Sequence, residues 1–141
     1  MNTVPEKIIK FIKKHHLLNL STVDQDGTWS CSCFYAYLPE ENMLIITSDN
    51  STKHIKNLSF SNKVSGTIAL ETKIIGLIRG IQFAGEIKKL EGNELKIAEK
   101  AYLKRFPIAR LMETTLWSIS PKIIKMTDNR LGFGKKLIWE L

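Results

Sequence analysis

Several residue types are scarce in this sequence. It has two cysteines, four prolines and eight glycines among 141 residues. Two cysteines exclude a disulfide-rich domain, and a bond between near neighbours such as Cys31 and Cys33 would be strained. No apolar run reaches the roughly 18 residues of a membrane-spanning helix. With 43% hydrophobic and 25% charged residues, the chain has the composition of an ordinary globular protein.

Acidic residues are also few, 14 against 21 lysines and arginines, which gives a net charge of +7. A basic balance favours an anionic partner, which is a nucleic acid, a membrane surface or a phosphorylated ligand. The lysines form no long basic block and no nucleic-acid motif, so we interpret most as solvated and expect neither nucleic acid nor membrane as partner. The opening MNTVPEKIIKFIKKHH scatters lysines through its apolar part, unlike a signal peptide, which predicts a cytoplasmic protein.

The first helix is predicted from its start signal and its apolar stripe. Thr3 to Glu6 has the form of a capping box, with a proline in the first turn. Val4, Ile8, Phe11 and Ile12 fall on one stripe, which should pack against a core.

Short strands with turn signals follow this helix. Asp24 to Gly27 predicts the turn of a hairpin. Both faces of the returning strand, from Thr28 to Leu38, are partly apolar, so we expect it to be covered on both sides. Further predicted strands are Met43 to Thr47, Lys63 to Leu70, Gly76 to Leu90, Leu116 to Ile119, Ile123 to Thr127 (broken from the previous one by Pro121) and Lys135 to Leu141.

The fold class follows from the number and length of these elements. Gly80 and Gly85 lie inside one long strand, where they indicate bulges, bends or close backbone approach, as in a sheet that curls into a barrel. A second amphipathic helix is predicted from Asn93 to Arg105, with Leu95, Ala98 and Tyr102 on one stripe. We predict an α+β fold, a small closed antiparallel β-barrel of six to seven strands with peripheral helices, as a single domain over 1–141.

One polar corner, from Thr47 to Lys53, is a candidate binding site. It lies between an apolar strand and the first turn of a helix, where free backbone N–H groups, hydroxyls and a lysine suit a phosphate. The same residue types also form an ordinary helix cap that binds nothing. The residues alone leave both interpretations open.

Other candidates favour structural roles. Cys31 and Cys33 share one face of a strand, where core packing is the favoured role. Metal binding or thiol reactivity is the less favoured alternative, because no histidine lies at metal-site spacing. The three histidines are too scattered to predict a metal site. Arg79 on an apolar face needs a partner if buried, which favours a site or an interface. Phe133, between two glycines, is either an aromatic flap or a turn.

The order of these parts resembles a known family. The segments LSTVDQDGTWSCSCFYAYLPEENMLIITSDNSTKHIKNLSFSNKVSGTIAL and GIQFAGEIKKLEG resemble the pyridoxamine 5′-phosphate oxidase-like, FMN-binding split-barrel superfamily. The segments LIRGIQFAGEIKKLEG, KAYLKRFPIAR and TDNRLGFGKKLIW are similar to its small YhbP-like bacterial family. The resemblance covers essentially the whole chain and implies a split barrel that binds FMN.

The resemblance also implies which residues hold the cofactor. The phosphate site corresponds to Thr47, Ser48, Ser51, Thr52 and Lys53. The flavin ring corresponds to Ser32, Cys33, Phe34 and Gln82. Members of the superfamily are homodimers with the flavin between subunits, so the resemblance implies that the partner completes the site through Trp117, Phe133, Lys135 and Trp139.

Departures from the family pattern limit the expected activity. Pyridoxamine-phosphate oxidases have an arginine before the phosphate-site lysine, where this chain has Thr52, and cations on the second strand, where it has Ser, Cys and aromatic residues. The oxidases' substrate-binding Arg and His have no match, so we do not expect that reaction. The expected function is a cytoplasmic, homodimeric FMN-binding protein and flavin-dependent oxidoreductase of unspecified substrate. The alternative is a non-catalytic module that holds flavin or haem.

Overall fold

The computed structural model describes residues 2–111 and 115–141. Three α-helices and seven strands lie within these ranges. No helix in the described part of the chain is both long and apolar enough to cross a membrane. In chain order the elements are α1 (Glu6–Lys14), β1 (Leu17–Asp24), β2 (Gly27–Leu38), β3 (Met43–Ser48), α2 (Lys53–Lys56), β4 (Lys63–Ala69), β5 (Arg79–Lys89), α3 (Gly92–Arg105), β6 (Thr115–Asp128) and β7 (Lys136–Glu140).

The strands form one antiparallel sheet that closes on itself. Neighbours follow the order β3-β2-β1-β4-β5-β6-β7, and β3 also pairs with β6, which closes six strands into a barrel. Strand β7 extends the sheet beyond the closure by pairing with the second half of β6. The predicted α+β class and closed antiparallel barrel are therefore confirmed.

Alternate residues of each strand fill the barrel interior. Leu18 and Leu20 of β1, Leu44 and Ile46 of β3, and Ile119 of β6 are almost fully buried there. Helix α1 closes one end of the barrel, and Ile8, Phe11 and Ile12, its predicted stripe, are buried. Helix α2, with the 3-10 turn Asn57–Ser59, packs on the other end. These are called the α1 end and the α2 end below.

Helix α3 lies outside the barrel. Its predicted stripe is confirmed, because Ala98 and Tyr102 are buried in a second cluster with Ile45 and Leu116. The end of α3 also fastens α1, since the Arg105 guanidinium donates to three carbonyl oxygens: those of Tyr35 (2.9 Å), Lys13 (3.2 Å) and His15. The Tyr35 hydroxyl donates to the Ile12 carbonyl (2.6 Å).

Two predicted helix starts differ from the structure. The capping box at Thr3 is wrong, because Pro5 occupies the N-cap position and no side chain caps the helix. The proline ring fixes the backbone there without a side-chain hydrogen bond. Helix α3 begins at Gly92, whose positive φ of 61° suits a glycine, one residue before the predicted start.

The predicted break at Pro121 is also wrong. Strand β6 continues past Pro121 with a bulge at Lys122, which lies unpaired because Gly85 of β5 pairs with Pro121 and Ala84 pairs with Ile123. Gly85 makes this possible, because a Cβ there would lie 2.1 Å from the Ser120 carbonyl oxygen. The expectation of a bulge or close approach at Gly85 is therefore confirmed.

The expectation that β2 is covered on both sides holds only for its second half. Ala36 is buried beneath α3, whereas Ser30, Ser32 and Phe34 are exposed on the outer face, Phe34 at 58%. Helix α3 packs on the second half of β2 and on β3 and β6. None of the helices in residues 2–111 and 115–141 lies over the outer face of β1, β4, β5 and the first half of β2.

Candidate functional site

A row of polar side chains crosses this uncovered outer face. The register pairs Ser32 with Asn19, Asn19 with Thr67, and Thr67 with Gln82. The Ser32 hydroxyl donates to Asn19 Oδ1 (2.9 Å), and Asn19 Nδ2 donates to Thr67 Oγ1 (3.3 Å). These four residues are called the polar row. Ser32 and Gln82, both predicted to contact the flavin ring, therefore lie on one line although 50 positions separate them in sequence.

The polar row borders an open hollow and an aromatic patch. The hollow has a volume of about 480 Å³ and is lined in part by Asn19, Ser30 and Gln82. On the other side of the row, Phe34 pairs with Leu17 across the strands and contacts Phe106, with ring centroids 5.5 Å apart. Both Phe34 and Leu17 are exposed. The face thus offers hydrogen-bonding groups beside an apolar surface.

Three of the predicted ring and partner residues, Cys33, Trp117 and Trp139, face the interior of their own protomer. The Cys33 side chain is buried in the barrel core, between the outward-facing Ser32 and Phe34. Trp117 packs against the same core, and its Nε1–H is buried without a hydrogen-bond partner among the described residues. Only the backbone of Cys33 therefore reaches the outer face.

Phe133 and Lys135 behave differently, since both lie in the exposed loop before β7. Phe133 is 77% exposed, between Gly132 (φ 124°) and Gly134 (φ 76°). Trp139 is buried, and its Nε1 donates to the Asn2 carbonyl of the same chain (3.1 Å). Phe133 and Lys135 are thus free to meet another molecule, whereas Trp139 belongs to the core.

The corner before α2 brings together part of the predicted phosphate site. Lys53 Nζ lies 3.3 Å from Asp24 Oδ2 and 5.6 Å from the centroid of the Trp29 ring. The Asp24 carboxyl accepts from the Asp26 backbone N–H, which with Lys53 lowers its pKa. Lys53 and Ser51 line an open hollow of about 430 Å³. A cation and a hydroxyl thus face a solvent-filled space on the surface.

The remaining corner residues point elsewhere. The Thr52 hydroxyl donates to the Asp49 carbonyl (2.8 Å), so it serves the turn itself. Thr47 points outward to α3, where its hydroxyl lies 3.4 Å from the Tyr102 hydroxyl beside a cavity of about 240 Å³. Ser48 points into the barrel and is buried against His54. The predicted phosphate residues therefore divide among three places.

The α2 end contains a cluster that the sequence did not predict. The sulfur atoms of Cys31 and Cys33 are 3.7 Å apart, and a ring nitrogen of His54 lies within 4.8 Å of both. His54 Nε2 is hydrogen-bonded to the Ser48 hydroxyl, and the Thr52 hydroxyl lies 3.3 Å from it. The only signal available in sequence was an inward-facing Cys-x-Cys pair followed by a histidine in the helix that packs on the same end.

Burial and mutual hydrogen bonding set the ionisation of this cluster. The contact with Cys33 lowers the pKa of Cys31, while the contact with Cys31, together with burial, raises the pKa of Cys33. Burial lowers the pKa of His54. The imidazole is therefore neutral near pH 7, and the first thiolate to form is that of Cys31.

Comparisons with known proteins identify the family. No protein-family model matches the chain. The UPF0306 protein YhbP of Escherichia coli O157:H7 is 39% identical over 132 residues, which cover 94% of this chain and 90% of that protein. A UPF0306 protein of Serratia proteamaculans is 40% identical over 141 residues, 99% of this chain and 98% of the relative.

Solved structures with less than 20% identity share the fold. A haem-binding protein from Mycobacterium smegmatis has a TM-score of 0.79 at 17% identity. The match covers 98% of this chain and 59% of the haem-binding protein. HutZ, a haem storage protein from Vibrio cholerae, has a TM-score of 0.67 at 15% identity, with 97% of this chain and 95% of that chain covered. An FAD-binding protein from Mesorhizobium loti has a TM-score of 0.71 at 13% identity, with coverage of 89% and 95%. These solved structures show the shared fold, and the sequence relatives show that the chain belongs to the UPF0306 YhbP-like family.

Proposed function

We propose that this protein binds FMN on the uncovered outer face of the barrel and acts as a flavin-dependent oxidoreductase. The observation that carries the proposal is the polar row beside exposed Phe34. Hydroxyl and amide groups on one line suit the polar edge of a planar heterocycle, and an aromatic ring suits its face. Neighbours of the same fold that bind flavin or haem support a planar ligand.

The residues present fit the two chemically different parts of the cofactor. Gln82 and Ser32 offer donors and acceptors to the ring system, and Phe34 shields it from water. Lys53 and Ser51 offer a cation and a hydroxyl to a phosphate at the hollow before α2. Bound FMN would supply the electron and hydride transfer, and the protein would supply position and water exclusion.

A second copy of the chain is the proposed partner. Exposed apolar residues gather on two adjoining loops, which Asn129 joins by donating to the carbonyls of Ile75 and Ile78. These apolar residues are Ile74, Ile75, Leu77, Ile78, Leu131 and Phe133. An apolar patch of this kind marks an interaction surface. In the homodimer, Phe133 and Lys135 of one protomer would cover the cofactor of its partner.

Haem is the second candidate ligand, and a specific contact favours it. The exposed His16 lies edge-on to Phe106, with ring centroids 6.5 Å apart, and Phe106 contacts Phe34. An accessible imidazole beside an aromatic surface offers an axial ligand to a planar iron porphyrin. In this alternative the protein is a binding module without redox catalysis of its own.

The first test is the absorption spectrum of the purified protein, followed by titration with FMN. Lys53→Glu should weaken FMN binding by about tenfold or more, because it removes a charged contact worth roughly 1.5–3 kcal/mol. Gln82→Ala should weaken it by about two- to tenfold, because a neutral hydrogen bond is worth roughly 0.5–1.5 kcal/mol. Lys100→Glu, which makes the same charge change on exposed α3, is the matched control. Equal FMN affinity in all three variants and the wild type would overturn the proposal.

Haem is tested in the same preparation. If haem is the ligand, added hemin should give a Soret band that His16→Ala alters, while FMN fluorescence stays unquenched. Sedimentation of wild type and Phe133→Asp tests the dimer, since a charge in the apolar patch should shift the protein towards monomer. A wild-type protein that is monomeric with FMN bound would contradict the shared site.

A further inference from the structure

The α2 end of the barrel carries a second candidate site, separate from the outer face. Cys31 and Cys33 come from β2, and His54 comes from α2, so two elements direct three metal-ligating side chains to one point. All three lie inside the barrel wall, whereas the polar row lies outside it. We propose that Cys31, Cys33 and His54 bind one thiophilic divalent cation, with Zn²⁺ as the best match.

The spacing of the two sulfurs supports this assignment. Two Zn–S bonds of about 2.3 Å at a tetrahedral angle separate their sulfurs by about 3.8 Å. The observed separation between Cys31 Sγ and Cys33 Sγ is 3.7 Å. A strand repeats its side-chain direction every two residues, so Cys-x-Cys holds both sulfurs on one face without a turn. A cation can therefore bind to both sulfurs without moving the backbone of β2.

The third ligand is fixed in orientation by neighbouring hydroxyls. Ser48 and Thr52 both contact Nε2 of His54, and the residue is only 9% exposed. Hydrogen bonds of this kind orient the imidazole in metal sites. The level of burial suits a cation that stays bound, while half-buried Cys31 leaves a path for its entry.

The donor set selects the class of cation. Two sulfurs and one imidazole nitrogen favour zinc or another thiophilic metal over Mg²⁺ or Ca²⁺, which prefer oxygen ligands. No fourth His, Cys, Asp or Glu joins the cluster in residues 2–111 and 115–141. A water molecule is left for the fourth position, because the Ser48 hydroxyl is already hydrogen-bonded to His54.

Binding also has a defined proton balance. Both cysteines must lose their S–H protons, so one Zn²⁺ replaces two protons and the two thiolates neutralise its charge. His54 binds as a neutral imidazole and releases none. No oxidant or reductant takes part, because the sulfurs stay in the thiolate state.

The experiment uses the whole chain, stripped with a chelator, kept reduced, and titrated with Co²⁺ and then Zn²⁺. Bound Co²⁺ should show a thiolate-to-metal charge-transfer band and intense tetrahedral visible bands, which one equivalent of Zn²⁺ should abolish. Cys31→Ser and His54→Gln should each weaken Zn²⁺ binding at least about tenfold. His15→Gln, a histidine at the α1 end, is the matched control and should bind like the wild type.

A second measurement keeps the test valid if a variant folds poorly. Saturating Zn²⁺ should raise the Tm of the wild type and of His15→Gln, because a ligand that binds only the folded state stabilises it. It should raise the Tm of Cys31→Ser much less. The proposal is overturned if the Co²⁺ spectrum lacks the thiolate band, or if Cys31→Ser and the wild type respond equally to Zn²⁺. The FMN proposal and the metal proposal are tested independently, because Lys53→Glu should weaken FMN binding but leave the Co²⁺ spectrum unchanged.

Discussion

The two ends of the barrel contain buried polar groups in contrasting arrangements. At the α1 end, Asp128 is buried, and its carboxyl accepts from Arg130 Nε (3.1 Å) and Nη2 (2.9 Å), with Lys7 Nζ 3.5 Å away. At the α2 end, Cys31, Cys33 and His54 contact one another, and no ion pair found in the described residues includes them.

We interpret the polar groups at the α1 end as stabilising the fold and those at the α2 end as a binding site for a ligand. Arg130 and Lys7 neutralise the charge of the Asp128 carboxylate, and both carboxylate oxygens accept hydrogen bonds from Arg130. This group therefore needs no bound ion to be stable. In the α2 cluster, by contrast, two sulfurs and one ring nitrogen lie within 4.8 Å of one another without a charged partner among the described residues, and we propose that a cation joins them. The following changes test whether the two ends differ in this way.

The largest expected effect comes from removing the apolar seal of the α1 end. Ile12→Ala should lower the free energy of unfolding by about 2–5 kcal/mol, because Ile12 is buried in the core and leaves a cavity. Ile55→Ala at the α2 end should cost less, since the four-residue α2 can move to fill the space. Urea unfolding of both variants measures the difference. A larger loss in Ile55→Ala would show that the α2 end is the more rigid.

Next in size is the attachment of α1 to α3. Arg105→Lys keeps the charge but loses the planar donor group that reaches three carbonyls, so it should cost about 1–3 kcal/mol. Lys104→Gln, on the same turn of α3, is the control and should change little. Hydrogen exchange of the α1 amides should accelerate in Arg105→Lys alone. Unchanged exchange there would mean that core packing holds α1 without the guanidinium.

Acid should affect the α1 end through Asp128. The Arg130 hydrogen bonds lower the pKa of Asp128 to about 2 from 3.8. Because the folded pKa is the lower, the stabilisation is complete above pH 3.8 and is lost as pH falls through about 2. We expect about 1–2 kcal/mol, reduced by solvent around half-exposed Arg130 and Lys7. Asp128→Asn should remove this loss from the stability profile below pH 4, and an identical profile would contradict it.

The smallest effect is expected at the α2 end and in a different pH range. Burial lowers the pKa of His54 below 6.5. The unfolded chain therefore takes up the proton first, so stability should decline as pH falls below 6.5 in the metal-free protein. His15 has a lowered pKa too, chiefly through burial, so His54→Gln and His15→Gln must be compared. If His54→Gln retains the full decline, His15 alone accounts for it.

Much of the fold was predictable because it depends on local patterns. The α1 and α3 stripes report which side of each helix is buried, and the Asp24 to Gly27 turn reports where the chain reverses between β1 and β2. The wrong break at Pro121 shows the limit of such patterns. Whether a proline ends a strand depends on its facing neighbour, here Gly85, and that pairing is fixed only when the barrel closes.

The site was predictable only in part for the same reason. Ser32 and Gln82 were predicted together from a family resemblance, and the register explains why they share a row. The cluster of Cys31, Cys33 and His54 was missed because it forms only when α2 packs on the end of the barrel and brings His54 beside the two cysteines. The spacing of these residues in the sequence does not reveal that packing. Likewise, whether Thr47 and Ser48 face outward or inward depends on the register of β3.

The contacts of the N-terminal segment also bear on the order of folding during synthesis. Residues before β1 bind groups that the ribosome produces much later: the Asn2 carbonyl accepts from Trp139, and Lys7 pairs with Asp128. This segment is therefore synthesised before β6 and β7 but can dock only after them. Contacts of such long sequence separation slow folding. The nascent chain should expose the apolar stripe of α1 until β6 and β7 emerge, so chaperone binding there is expected to last until these strands are available.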